Sequence, residues 1–163
     1  MGRMKEEFME MQEQMQEFYE WDKYEMQDYL EEQETKKETL RRLFQENNLV
    51  EEDVYKDKRG FVIITRTGID KIVSKQNIQV AYEMIKLDKD GVVIKAVASV
   101  RIGPAETDVR NMMSFGEASD DNLMGGGKKF PVAMAEKRAM SRVVLKIAGF
   151  YEQGVFGQDE IVD

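Results

Sequence analysis

The chain has 163 residues, carries no cysteine and no histidine, and has a formal net charge of −8. The missing residue types exclude disulfide bonds, thiol chemistry and the commonest general base and zinc ligand, so we expect a protein that is not an enzyme and uses no metal or other cofactor. No apolar run reaches the ~18 residues of a membrane span, and the acidic N-terminus does not resemble a signal peptide, which together predict a cytoplasmic protein without membrane contacts.

The charge is unevenly distributed along the chain. Residues 1–53 carry 17 acidic and 7 basic side chains, whereas residues 54–150 carry 11 acidic and 17 basic ones. A basic centre between acidic ends is compatible with an anionic partner despite the negative total. We therefore divide the chain into an acidic arm (1–35), a core (36–150) and an acidic tail (151–163).

The arm is predicted to be one long helix over residues 3–32, which are rich in Glu, Gln and Met and contain no Gly or Pro. Its apolar residues alternate between four- and three-residue spacing, which is the pattern of a coiled-coil seam. The seam residues are Met4, Phe8, Met11, Met15 and Phe18. Such a helix can pack on its own domain or on a neighbouring subunit, dock a partner, or shield the basic centre.

A second helix is predicted over residues 36–47, with Thr35 or Thr39 as its N-cap and Asn47-Asn48 as its end. A loop containing three basic residues follows, and it is either simply solvated or a site for an anion. The three residues are Lys56, Lys58 and Arg59.

The middle of the chain predicts an antiparallel β-meander. Residues 61–64 form a short β-branched run, and residues 68–76 have helical spacing. Two runs rich in Val and Ile, 79–87 and 92–102, are separated by a hairpin signal, and residues 107–115 form a third strand. With a long C-terminal helix packed on this meander, the predicted fold class is α+β.

The C-terminal helix is predicted between Pro131, which suits a first helical turn, and Gly149, which suits a stop. The three glycines at 125–127 indicate a flexible linker. They do not form a nucleotide-binding loop, because Lys128 is followed by Lys129 where that loop needs Ser or Thr.

Arg138, Arg142 and Lys146 are spaced four residues apart and therefore form one row along this helix, with Lys128 and Lys129 near its start. Like charges at this spacing repel by ~0.2–0.5 kcal/mol per pair on an isolated helix. The row is therefore either the solvated face of a core helix or a track for a phosphate backbone.

The order of these features and two motifs are shared with a known family. The motifs are SFGEAS at residues 114–119 and the pattern A-x-x-x-A-x-x-R-x-x-x-K-x-x-G from Ala135 to Gly149. On these grounds the stretch from Thr39 to Gly149 resembles the single-strand annealing proteins of recombination, the Rad-fifty-two-like group and its phage relatives. In that family a small-residue turn precedes the closing helix.

The resemblance implies a β-β-β-α core that assembles into rings or arcs and holds single-stranded DNA in a basic groove, with the bases accessible for pairing. In the family this groove is built from the basic loop and the closing helix, which Lys56, Lys58, Arg59, Arg142 and Lys146 match here. Arg138, Lys128 and Lys129 complete the predicted DNA-binding set on the grounds of spacing and charge alone.

We therefore predict a DNA recombination and repair protein that binds single-stranded DNA and anneals complementary strands without ATP or a catalytic residue. Its predicted partners are single-stranded DNA, further copies of itself, and a single-stranded DNA-binding protein or another recombination protein in a bacterial host. Backbone contacts should outweigh base stacking, since no aromatic residue lies within the basic row; Tyr55 and Phe61 are the nearest candidates. The alternative is a phage structural or adaptor protein whose acidic helix docks a partner.

Overall fold

The computed structural model describes residues 2–161, except for the side chain of Trp21. It is an α+β structure with a long N-terminal helix, two three-stranded sheets and a C-terminal helix, which confirms the predicted class. The chain through Thr39 and the chain from Leu40 form two compact units. In the described part of the chain, no helix combines the length and the apolar character that crossing a membrane requires.

Helix α1 runs without interruption from Gly2 to Glu46. The prediction of two helices was wrong because Thr35 and Thr39 do not cap a new helix. Their hydroxyls donate instead to the carbonyl oxygens of Glu31 and Thr35, each at 2.9 Å, as Thr side chains can do inside a helix. The helix ends where predicted, and Asn48 adopts a left-handed conformation with φ 54°.

The larger sheet contains β3 (Gln79–Asp88), β4 (Gly91–Arg101) and β5 (Val109–Ala118), which lie side by side in that order and are antiparallel. Helix α3 (Pro131–Ile147) packs on β4 and β5. Alternate residues of β4 are buried beneath it, and the core continues along the apolar face of the helix. That core includes Ile94, Ala96, Ala139, Val143 and Ile147.

Strand β5 continues through SFGEA, so the predicted small-residue turn is in fact a strand. Ser114, Gly116 and Ala118 alternate on its buried side. A Cβ built on Gly116 would overlap the carbonyl oxygen of Ala135 and the backbone nitrogen of Ala139. Small residues are needed here because the helix backbone lies directly on the strand.

A second, smaller sheet was not predicted. It consists of β1 (Val54–Lys56), β2 (Val62–Ile64) and β6 (Val155–Gly157), with β1 antiparallel and β6 parallel to β2. Helix α2 (Arg66–Gln76) follows β2, and the hydroxyl of Thr65 accepts from the Gly68 N–H as its N-cap.

The segment predicted as an acidic tail is therefore part of the fold. Its apolar residues supply β6, and short 3₁₀ turns at Tyr151–Gln153 and Gln158–Glu160 flank that strand. The last two residues of the predicted tail, 162 and 163, lie outside the described residues.

Candidate functional site

A cleft with a volume of about 560 Å³ lies in the unit from Leu40 onwards. It lies where the loop before β2, the strand β5, the second half of α3 and the C-terminal segment meet. Its basic lining comes from Arg59, Arg142 and Lys146, and Phe61 and Tyr151 lie among them. The basic loop and the closing helix are far apart in the sequence, but in the structure both contribute cations to one concave surface. The remaining lining residues are Ser114, Phe115, Phe156, Glu160 and Ile161.

Arg138, which its spacing placed in the predicted DNA-binding set, is not part of this surface. Its side chain is buried, and its guanidinium donates to the carbonyl oxygens of Glu117 at 2.8 Å, Asn122 at 2.7 Å and Asp159 at 3.2 Å, and to the Asn122 side-chain oxygen at 2.9 Å. Burial and the neighbouring charge of Arg142 lower the pKa of Arg138. Because the guanidinium is taken up by these acceptors, Arg138 joins β5 to the loop and the C-terminal segment.

Arg142 lines the cleft but is also held by protein groups. It donates to the Phe115 carbonyl oxygen at 2.8 Å, to the two carboxylate oxygens of Glu117 at 3.1 and 3.2 Å, and to Glu160 Oε1 at 2.9 Å. Burial alone would lower the pKa of Arg142, but the bonds to the Glu117 and Glu160 carboxylates outweigh it and raise that pKa. The guanidinium is thus fixed in orientation at the edge of β5, with 24% of its side chain exposed.

Lys146 is the third member of the predicted row. Its ammonium group donates to Ser114 Oγ at 3.1 Å and lies 5.3 Å from the centroid of the Tyr151 ring. Neither contact neutralises its charge, because a hydroxyl and a ring face carry no formal charge. The Glu160 carboxylate is close enough for its charge to interact with that of Lys146. Among the cleft cations of the described chain, however, Lys146 alone makes no hydrogen bond to a carboxylate, so it is the one best placed to accept an anionic ligand.

Arg59 reaches the cleft from the basic loop. Its guanidinium donates to the Asp57 carboxylate at 2.9 and 3.0 Å and lies 5.2 Å from the Phe61 ring centroid. Burial alone would raise the pKa of Asp57, but the bonds from Arg59 and Phe61 more than compensate and lower it. The predicted loop residues Lys56 and Lys58 are exposed but do not line the cleft.

Lys128 and Lys129 lie elsewhere. They end the short 3₁₀ helix Gly125–Lys129, at the opposite end of α3 from Lys146. Lys128 lines a shallow depression beside the β3–β4 turn, together with Asp88 and Asp90. The structure therefore does not bring these two lysines to the cleft.

Two functional candidates, Tyr151 and Phe156, were missed because their segment was predicted to be a tail. Phe156 lies 5.4 Å from Phe61 and 5.7 Å from Tyr151 between ring centroids, edge to face in both cases. The one available signal was the clustering of aromatic and apolar residues in FYEQGVF, at residues 150–156, within an otherwise acidic end. The stacking candidate Phe61 does line the cleft, whereas Tyr55 does not.

The site provides cations and ring faces. Within residues 2–161, no group of three or more acidic side chains is arranged to hold a metal ion. The chain matches no protein-family model, and neither curated proteins nor solved structures show a significant similarity to it. A functional assignment therefore rests on the residues of the cleft.

Proposed function

We propose that this protein binds single-stranded DNA through the cleft and, as an assembly, anneals complementary strands in recombination without ATP. The observation that carries the proposal is the convergence of Arg59, Arg142 and Lys146 on one concave surface that also exposes aromatic rings. Cations beside aromatic faces are the usual composition of a single-strand binding groove. The resemblance in sequence of the stretch from Thr39 to Gly149 to single-strand annealing proteins supports the same proposal.

The mechanism is electrostatic and geometric. Each phosphate neutralised by a cleft cation releases condensed counterions, which favours binding at low salt. Arg142 would exchange part of its carboxylate contact for a phosphate, whereas Lys146 would gain an anionic partner without giving up a hydrogen bond to a carboxylate. Strands held side by side on an assembly would pair faster than free coils.

We propose homo-oligomerisation through two surfaces. One is the edge strand β3, which pairs within the described chain with β4 alone and exposes Tyr82, Met84 and Leu87. Open strand edges tend to pair with another chain or to be covered. The other surface is the apolar seam of the arm. We place this assembly in the cytoplasm of a bacterial host, with a single-stranded DNA-binding protein or another recombination protein as a further partner.

The direct test is a salt titration of binding to a fluorescent single-stranded 30-mer and to the matching duplex. Each phosphate contact contributes about −0.7 to the slope of log K against log salt on a single strand. With three cleft cations we therefore expect a slope of roughly −2. Lys146→Ala should reduce the steepness by about 0.7. Lys75→Ala removes an exposed lysine of α2 that does not line the cleft, and it should leave the slope unchanged. Absence of binding at low salt would refute the proposal.

Annealing is then measured separately, by mixing labelled complementary strands with and without the protein. An increased pairing rate that Lys146→Ala reduces supports annealing. Binding without any rate increase leaves a single-strand binding protein and removes the annealing step.

The second candidate is an adaptor protein. It is favoured by the exposed apolar residues of the arm. Among them, Met4 is 78% exposed, and Phe18 and Tyr24 are 67% and 66% exposed. In that case the arm docks another protein and the cleft binds no nucleic acid. The salt titration above distinguishes the two candidates, because an adaptor predicts no binding to the 30-mer at any salt concentration.

A further inference from the structure

Three aromatic rings with a cation at each end form a continuous arc along one wall of the cleft. The Arg59 guanidinium lies 5.2 Å from the centroid of the Phe61 ring, and the Lys146 ammonium group lies 5.3 Å from that of the Tyr151 ring. Between them, the centroid of the Phe156 ring lies 5.4 Å from that of Phe61 and 5.7 Å from that of Tyr151. The three rings therefore connect a loop cation to a helix cation. Each edge-to-face pair has the geometry that aromatic quadrupoles favour.

The rings are fixed by the small sheet and its flanking turns. Phe156 belongs to β6 and lies opposite Ile63 of β2, Phe61 directly precedes β2, and Tyr151 begins the 3₁₀ turn before β6. Since the backbone positions are set by β-pairing, the rings need little ordering when a ligand arrives. Phe61 still exposes 43% of its surface. A buried core cluster would not leave a ring so accessible.

We propose that the Phe61–Phe156–Tyr151 cluster binds an unpaired nucleobase of the strand whose phosphates contact Arg142 and Lys146. This inference rests on the proposed function and gives base stacking a larger part than the sequence predicted, since the sequence predicted that backbone contacts outweigh stacking. A ring face next to a cation suits a nucleotide, which has a flat π-system joined to an anion. The cleft volume of about 560 Å³ falls within the range of small-ligand sites, about 300–1,000 Å³.

The proposal has two consequences for the bound strand. A base that stacks in the cleft must be unpaired, so duplex DNA of the same length should bind less tightly. The stacked base is also withdrawn from pairing while it is bound, so the cleft anchors the strand at that base and leaves its neighbours free to pair. Every base has a π-face, so the preference among sequences should be small.

The first experiment uses the unaltered full chain. Binding of a fluorescent thymidine 20-mer is compared with that of a 20-mer in which abasic sites replace the bases and the phosphates are unchanged. Stacking predicts that the abasic strand binds roughly 5- to 100-fold more weakly, the range for loss of one stacked base. The slope of log K against log salt should be the same for both strands, because the phosphate contacts are the same.

The second experiment uses matched variants. Phe61→Leu and Tyr151→Leu keep an apolar side chain but remove the ring, and each should weaken thymidine 20-mer binding with an unchanged salt slope. Phe130→Leu is the control, because Phe130 is 65% exposed and does not line the cleft. It should bind like the unaltered chain.

The outcomes separate this inference from the proposed function. Equal binding of the thymidine and abasic strands overturns base stacking and leaves backbone binding intact. Failure to bind either strand at low salt overturns both. A loss in Phe61→Leu equal to that in Phe130→Leu also contradicts the assignment of the stacking site.

Discussion

The guanidinium of Arg142 donates a 2.9 Å hydrogen bond to Glu160 Oε1 at the rim of the cleft. Glu160 belongs to the C-terminal segment, and its side chain is only 6% exposed. Burial raises the pKa of Glu160, and the bonds from the Gly157 N–H and from Arg142 oppose that increase. A carboxylate thus occupies part of the donor surface that a DNA phosphate would use.

Glu160→Gln should therefore tighten binding to single-stranded DNA at pH 7. The amide keeps the shape of the side chain but removes the negative charge, so Arg142 becomes available to a phosphate. We expect a gain of roughly 2- to 10-fold, as for removal of one competing charge at a partly exposed pair. The measurement is fluorescence anisotropy at low salt.

The control for this prediction is Glu152→Gln, which changes the net charge equally in the same segment, at an exposed residue that does not line the cleft. The affinity of the unaltered chain should rise as the pH falls from 7 towards the pKa of Glu160, because protonation of Glu160 releases Arg142. Because the pKa of Glu160 is raised, the increase in affinity should begin at a higher pH than an ordinary glutamate would give. The chain contains no histidine that would titrate in the same pH range. Parallel pH profiles for the unaltered chain and Glu160→Gln would contradict this account.

Gly116→Ala should destabilise the core. An added methyl group would overlap the backbone of α3 at Ala135 and Ala139, and a helix backbone cannot move aside as a flexible side chain can. Overpacking of this kind costs about 1–3 kcal/mol. Urea denaturation measures the loss, and Gly126→Ala is the matched control because no atom lies within 4 Å of its Cβ position. Equal midpoints for the two variants would show that α3 is not in close contact with β5.

Asp53 should stabilise the fold in a pH-dependent way. Its buried carboxylate accepts from Lys71 Nζ at 2.6 Å and from the Val50 N–H at 2.9 Å. Burial alone would raise the pKa of Asp53, but these bonds outweigh it and lower the pKa below 3.8. A group with a lowered pKa in the folded state stabilises it above the unfolded pKa, and this contribution is lost as the pH falls through the folded value.

Asp53→Asn should consequently cost about 1.5–3 kcal/mol of unfolding free energy at pH 7, the range for a hydrogen bond to a charged group. The difference from the unaltered chain should shrink between pH 4 and pH 2. The measurement is urea denaturation across that range. Asp70→Asn, which removes a solvent-exposed i,i+4 ion pair with Arg66, should cost less than about 0.5 kcal/mol at pH 7. A pH-independent difference for Asp53→Asn would rule out the charge as the cause.

Local signals explain which elements of the fold could be predicted. Pro131 and Gly149 delimit α3, and the Asp88–Gly91 turn defines the β3–β4 hairpin, because each signal acts within a few residues. The sheet β1–β2–β6 could not be predicted, since its strands have three residues each and β6 pairs with a strand about ninety residues earlier. Such pairing has no local sequence signal.

The site was predictable only in part for a similar reason. Helical spacing correctly places Arg138, Arg142 and Lys146 along one side of α3, but it does not show what covers that side. In the structure, carbonyl groups of β5 and the segment around Glu160 cover Arg138 and most of Arg142. The predicted alternatives were water and a phosphate backbone. Protein acceptors have no local sequence signal, because they come from distant parts of the chain.

The apolar seam of the arm is exposed, and most of the glutamates beside it in the sequence lie on the opposite side of the helix. Met4, Phe8, Met11, Met15 and Phe18 are all more than half exposed. At 100° per residue, five glutamates lie about 120° or more from the centre of this seam. These are Glu6, Glu10, Glu13, Glu17 and Glu20. Gln12 and Gln14 flank the seam at about 80° from its centre, and Glu7, at about 60°, is the one acidic residue of 3–20 on this side. Two arms that approach along the seam therefore bring few like charges together.

Met15→Glu should therefore reduce the mass of the assembly in light scattering, because it introduces a charge into an apolar contact between arms. Met9→Glu is the matched control, since Met9 is similarly exposed at 57% but lies about 140° from the seam centre. Loss of assembly should also weaken binding to long single strands more than to short ones, because several clefts on one strand bind with avidity. If both variants keep the mass of the unaltered chain, the arm does not pair with a second copy and its seam must serve another partner. If both lose mass equally, the added negative charge rather than the seam is responsible.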